Sequence, residues 1–160
     1  PYTRPLYSIW EMIRKVKYTI TDLQNSTDEK LVGLIYEKSA ELELGTFGQS
    51  LEIADPAMAE FQAMWTLEGE VQNGGYDQFF LNNGFDYGQK ALSGFKRIRA
   101  NDFANVTEKA IEIFKNQNSE FDNKRNPDFN DLDDEFYDLD GLEKIQVDYI
   151  RKNYEKFIVE

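Results

Sequence analysis

Trp65-Thr66-Leu67-Glu68-Gly69-Glu70-Val71-Gln72-Asn73-Gly74-Gly75-Tyr76-Asp77-Gln78-Phe79-Phe80-Leu81-Asn82-Asn83-Gly84 sets acids, amides and glycines among aromatics that belong in a core. Taken alone, Asn73-Gly74-Gly75 suits a hairpin turn, because Asn and Gly readily adopt positive φ. Its flanks argue against strands. Phe61, Met64, Trp65, Leu67 and Val71 before it form a broad apolar face at helical spacing, and Tyr76, Phe79, Phe80 and Asn83 continue that spacing after it. The glycines are therefore expected to end one helix and start a short second one at a sharp angle. Asp55 is the N-cap of the first of these helices and Pro56 its first helical residue.

Working outward, the same period recurs in nearly every segment. Ile9, Ile13, Val16 and Ile20 predict an N-terminal amphipathic helix, and Leu31, Leu34, Ile35 and Leu42 a second, with cap residues in Asn25 to Asp28 and a turn at Gly45 to Gly48. Ala91, Phe95 and Ile98 mark a helix after Gly84. Phe103, Val106, Ala110, Ile113 and Phe114 mark the next, capped by Asn101 or Asp102. Residues 116 to 130 read as the longest loop, and Leu142, Ile145, Tyr149, Ile150 and Phe157 as the last helix. No alternating strand pattern of useful length, internal repeat or low-complexity tract is present. The expected fold is all-α, one compact domain over 1–160 with seven or eight short helices.

The chain has 160 residues, 30 acids against 18 bases, and a formal charge of −12. Such a charge opposes direct contact with nucleic acid or an anionic membrane and favours a basic partner. At 41% apolar and 14% aromatic residues, the chain is too rich in core formers to be disordered. Histidine and cysteine are absent, which removes thiol nucleophiles, His bases and the usual nitrogen and sulfur zinc ligands. No apolar run approaches the ~20 residues of a membrane span, the N-terminal residues lack a signal-peptide pattern, and the absence of cysteine fits a cytoplasmic location.

The charge is localised. Residues 120 to 160 hold thirteen acids and six bases. Within them Asp128, Asp131, Asp133, Asp134, Glu135, Asp138, Asp140 and Glu143 run without a Lys or Arg, while Phe129, Leu132, Phe136 and Leu139 repeat at 3, 4, 3 spacing. As one helix, these eight carboxylates would span roughly 22 Å, about one per 3 Å, against one phosphate charge per ~1.7 Å of duplex axis. A second acidic row from a neighbouring helix or a partner subunit would bring the density near that of DNA. Asp138-Leu139-Asp140-Gly141 looks like the middle of a calcium loop, but the register puts Phe136 at position one and Val147 at position twelve, so no metal site is assigned.

Glu68 and Glu70 precede the double glycine by about a turn, and a carboxylate pair can in principle act as acid and base when burial separates the two pKa values. Two positions apart on a helix they point ~200° apart, so the expected roles are structural. Glu68, beside Trp65, is expected to accept backbone N–H groups freed at the glycine break, with Glu70 nearer solvent. Gln78, Asn82 and Asn83 are expected to bind backbone groups at helix ends. A small-molecule pocket lined by Trp65, Tyr76 and Phe80 is the remaining alternative. No catalytic residue and no cofactor is assigned.

The stretch Glu68-x-Glu70-Val71-x-Asn73-Gly74-Gly75-Tyr76-x-Gln78-Phe79-Phe80-x-Asn82 resembles the central motif of the bacterial DNA-mimic protein family, and the resemblance extends over about Asp55 to Phe157. Ala91-Leu92, Ala110 to Phe114, Leu132-Asp133-x-x-Phe136-Tyr137 and Tyr149-Ile150-Arg151-x-Asn153 also look like family features. The chain departs from the pattern at Phe95-Lys96-Arg97-Ile98-Arg99-Ala100, which places three bases in a domain whose resemblance implies imitation of an anion. The resemblance implies a compact helical domain, a homodimer, no cofactor and no enzymatic activity. It implies competition with DNA for the basic surface of a transcription factor or nucleoid protein. An immunity-type module that neutralises one basic toxin is the alternative from another class, and a carboxylate-based hydrolase a third.

Overall fold

The computed structural model describes residues 16–45 and 49–159. These residues form seven α-helices and three short 3-10 turns, and no strand occurs among them. In chain order the helices are α1 (Ile20–Gln24), α2 (Asp28–Gly45), α3 (Gln49–Ile53), α4 (Pro56–Ile98), α5 (Asn101–Asn116), α6 (Asn130–Tyr137) and α7 (Leu142–Lys152). The 3-10 turns are Ser119–Phe121, Pro127–Phe129 and Tyr154–Phe157.

The central element is α4, which as one straight helix of 43 residues would be a rod of about 65 Å. Glycine folds it. Gly74 (φ −159°, ψ 16°) and Gly75 (φ 76°, ψ −179°) leave helical geometry together, and Gly84 (φ 76°, ψ −178°) does so again. The result is three helical pieces, 56–73, 76–83 and 85–98, as the aromatic spacing on both sides of the break predicts. Asp55 caps the first piece by accepting the Ala57 N–H at 2.9 Å, and Pro56 follows it.

The middle piece drives an aromatic cluster into the core. Tyr76 and Phe79 are fully buried and Phe80 nearly so. Phe80 stacks on Phe114 of α5 at 4.4 Å, and Tyr76 meets Phe129 and Phe136 at 6.3 and 5.8 Å. The Tyr76 hydroxyl, which burial pushes far above its ordinary pKa, pairs with the buried Thr107 hydroxyl at 3.0 Å. Phe61, Tyr149 and Phe157 form a second aromatic group where α7 and the last turn close on α4.

Several boundaries differ from the sequence reading. Ile9 and Ile13 lie outside the described residues, as do Thr46 to Gly48 of the expected turn, and Val16 to Thr19 precede α1 outside any helix. Neither Asn101 nor Asp102 caps α5. A Schellman-type turn ends α4 instead: Arg99 is left-handed (φ 62°), the Ala100 N–H bonds Phe95 O at 2.9 Å, and Ala100 takes the cap position. The final helix stops at Lys152, because Asn153 (φ −144°, ψ 40°) leaves helical geometry and turns its amide back onto Tyr149 O.

Trp65 is the clearest departure, since it sits in the apolar face of α4 yet is 46% exposed. Tyr36 of α2 stacks on it at 5.0 Å, and the rest of the indole meets solvent.

Candidate functional site

The acidic run is split. Helix α6 ends at Tyr137, Asp138 is its C-cap, and Gly141 (φ 77°) turns the chain into α7. The 22 Å rod expected for Asp128 to Glu143 is replaced by a helix of eight residues, about 12 Å long, and a turn. A left-handed glycine at position 141 is what the Asp140-Gly141 pair serves.

Apolar residues hold α6 in place. Phe129 just before it, Leu132 and Phe136 are buried, and the Tyr137 hydroxyl donates to Val71 O of α4 at 3.0 Å. That anchoring turns Asp131, Asp134, Glu135 and Asp138 outward together with Asp128, and Asp140 and Glu143 are exposed beyond the helix. Glu135 pairs with Lys109 of α5 at 3.0 Å. Among the described residues, no Lys or Arg lies within ion-pair distance of Asp128, Asp131, Asp134, Asp138, Asp140 or Glu143.

Asp133 does not belong to this surface. It is 3% exposed, and its Oδ1 accepts the Tyr76 N–H at 2.8 Å, the backbone donor released by the Gly75 break. Arg125 reaches its other oxygen at 3.3 Å. Asp77, on the far side of the break, reciprocates by accepting the Asn126 N–H at 2.7 Å. Two carboxylates thus lash the 117–129 connection and α6 onto the middle of α4. Burial raises the pKa of both, although in each case the accepted N–H and Arg125 pull the other way.

The break is therefore served by different acids from those expected. Glu70 accepts side-chain amides, Gln78 Nε2 at 2.7 Å and Asn82 Nδ2 at 3.0 Å, bridging the two arms of the kink. Asn83 bonds Phe79 O at 3.0 Å, as a helix-end residue should. Glu68 takes no part. It is half-buried against α2 and α7, where burial first and then the charge of Glu143 raise its pKa. The two glutamates face different neighbours: Glu68 lines a recess with residues of α2 and α7, and Glu70 holds the amides of the kink. Trp65 and Phe80 also line separate recesses, and Tyr76 is sealed in the core, so the three do not form one pocket.

A shallow groove separates α6 from α5. Asp102, Asn105, Glu108 and Lys109 face Glu135 and Leu139 at one end, and Glu108, Lys109, Glu112 and Ile113 face Asp128, Asp131 and Leu132 at the other. The helices run antiparallel, and Asp102, Glu108 and Glu112 of α5 lie across the groove from the acids of α6. Lysines temper them: Lys96 meets Glu108 at 2.7 Å and Lys115 meets Glu112 at 3.8 Å. All four side chains are more than half exposed, a setting in which a pair contributes ~0–1 kcal/mol and exchanges readily. Of the three unexpected bases, Lys96 is spent in this way, Arg97 on the buried Glu60, and Arg99 holds the left-handed turn.

Sequence reasoning missed Asp77, Arg125 and Asn126, which lie in the polar connection or beside the glycines without any spacing signal. Among the described residues, no helix is long and apolar enough to cross a membrane. Comparison with curated proteins and with solved structures returned no match. A family model described as DMP19-like protein matches residues 54–153, a span that takes in the glycine break, the aromatic cluster, α5 and the acidic helix. The chain belongs to the DMP19-like protein family.

Proposed function

We propose that this protein is a non-enzymatic mimic of DNA that binds the basic DNA-binding surface of a transcription factor or nucleoid protein. Family membership supports protein binding of the DNA-mimic kind in general terms. The observation that carries the finer reading is the outward row Asp128, Asp131, Asp134 and Asp138, none of them in an ion pair among the described residues, on a helix fixed to the core through its opposite face. Carboxylates on an anchored helix are pre-organised, so a cationic partner gains their attraction without ordering them first.

Three of these acids, Asp131, Asp134 and Asp138, are spread over about 10 Å of helix, which is sparser than one DNA strand with its phosphate every ~3.4 Å. A basic reader therefore needs a second row, either the α5 acids with their lysines displaced or the α6 of a second copy. Mimicry in this form is a matter of charge and not of groove shape. Screening limits its reach to ~8 Å at physiological ionic strength.

The test is capture by the immobilised protein from a lysate of the organism that makes it. A basic DNA-binding protein should be retained at low salt and lost from the variant carrying Asp131→Asn, Asp134→Asn, Glu135→Gln and Asp138→Asn. Equal capture by that variant removes α6 from the interface. Capture of a single basic enzyme, insensitive to that variant, would indicate the immunity-type reading instead.

A further inference from the structure

Three helices converge on a recess away from α6. Helix α2 contributes Glu29, Gly33, Tyr36 and Glu37 from one stripe, α4 contributes Trp65 and Glu68 one turn apart, and α7 contributes Glu143 and Gln146. The cavity measures about 490 Å³. Its aromatic wall is the Tyr36–Trp65 stack, with Tyr36 buried and fixed by a 2.7 Å hydrogen bond from Gln146 Nε2, and Trp65 46% exposed. At Gly33 the wall is open, since a Cβ added there meets nothing within 4 Å.

The acids have no cation. Glu29, Glu37, Glu68 and Glu143 all line the recess, no Lys or Arg lines it, and none of the four is in an ion pair among the described residues. Glu68 is half-buried at the foot of the aromatic wall without a hydrogen-bond donor, so its charge is the most costly of the four. An aromatic face beside an uncompensated carboxylate is the chemistry that holds a planar organic cation, by stacking on one side and charge-assisted hydrogen bonds on the other. A metal ion is a poor fit, because no three acidic side chains converge closely enough to ligate one among the described residues.

We infer that this recess is a docking site for an arginine side chain, the guanidinium stacking on Trp65 and hydrogen-bonding to Glu68. Charge complementarity selects a cation, and the flat aromatic wall selects guanidinium over ammonium. That the arginine belongs to the basic protein held by α6 rests on the function proposed above; the recess itself does not. The raised pKa of Glu68, caused first by burial and then by the charge of Glu143, agrees with this, since a bound cation would favour the ionised carboxylate.

The test uses the intact chain carrying Trp10→Phe, so that Trp65 is the only tryptophan, and follows its fluorescence as acetyl-Gly-Arg-Gly-amide is added. A saturable change is expected, weakened about tenfold or more by Glu68→Gln, absent with the citrulline peptide, and weaker with the lysine peptide. Gly33→Leu should block the recess while leaving the helix intact, because leucine is the better helix former and the space is open. No saturable change, or one that survives both Glu68→Gln and Gly33→Leu, overturns the inference. Equal response to lysine and arginine overturns the stacking. The probe is independent of any partner, so a positive titration alongside α6-independent capture would sink the mimicry and keep the recess.

Discussion

At the scale of single residues, the glycine break and its carboxylate pin decide whether the chain closes on itself. Gly75 is left-handed, and a Cβ there would overlap the Asp133 carboxylate. Gly75→Ala therefore adds steric conflict to backbone strain and should cost more than ~2 kcal/mol. Gly84→Ala meets only the backbone strain, of about 1–3 kcal/mol, because the space around Gly84 is open. Urea unfolding of the two variants checks the order. Asp133→Ala orphans the Tyr76 N–H and should cost ~1–3 kcal/mol in the same assay. Glu68 makes a prediction of opposite sign. Its folded pKa is raised, so its contribution to stability is full below the unfolded value of 4.5 and is lost as pH rises through the folded value. Glu68→Gln should therefore stabilise the protein at pH 7 and do so less at pH 4; equal gains at both would mean the carboxylate is not strained.

At the scale of elements, α6 is an apolar anchor carrying an acidic face, and the two sides should respond differently to mutation. Phe136→Ala empties a site packed by Tyr76 and Phe103 and should cost ~3–5 kcal/mol. The four charge-removing changes on the outer face should each fall within about 0.5 kcal/mol, read from thermal or chemical unfolding. This division was legible in the sequence, since the 3, 4, 3 spacing of Phe129, Leu132, Phe136 and Leu139 states which side faces inward. The Asp55-Pro56 start and the kink at Gly74-Gly75 were equally legible, because each rests on a local backbone rule. Other features depend on chain segments far away. Asp133 reads as one more acid of a charged run until Tyr76, 57 residues earlier, presents an N–H to it. Trp65 keeps the spacing of a core residue, and only the position of α2 leaves it half open. The end of α6 at Asp138 turns on Gly141, which the charge pattern alone obscures.

At the scale of the whole molecule, a charge of −12 on 160 residues sets a field that attracts cations and repels nucleic acid. Among the described residues, most bases that pair with acids do so away from the outer row of α6, at Glu41, Glu60, Glu108, Glu112, Asp28, Asp55 and Asp148. Binding should weaken steeply as ionic strength rises from about 0.1 M to 1 M, over which the screening length falls from ~10 Å to ~3 Å. An interface insensitive to that change would be apolar and would lie elsewhere on the molecule. The most direct measurement is competition: the captured basic protein is challenged with a short DNA duplex at fixed salt. Release by duplex, together with loss of capture in the fourfold α6 variant, is the predicted result. A partner that holds this protein and the duplex at the same time would contradict the account.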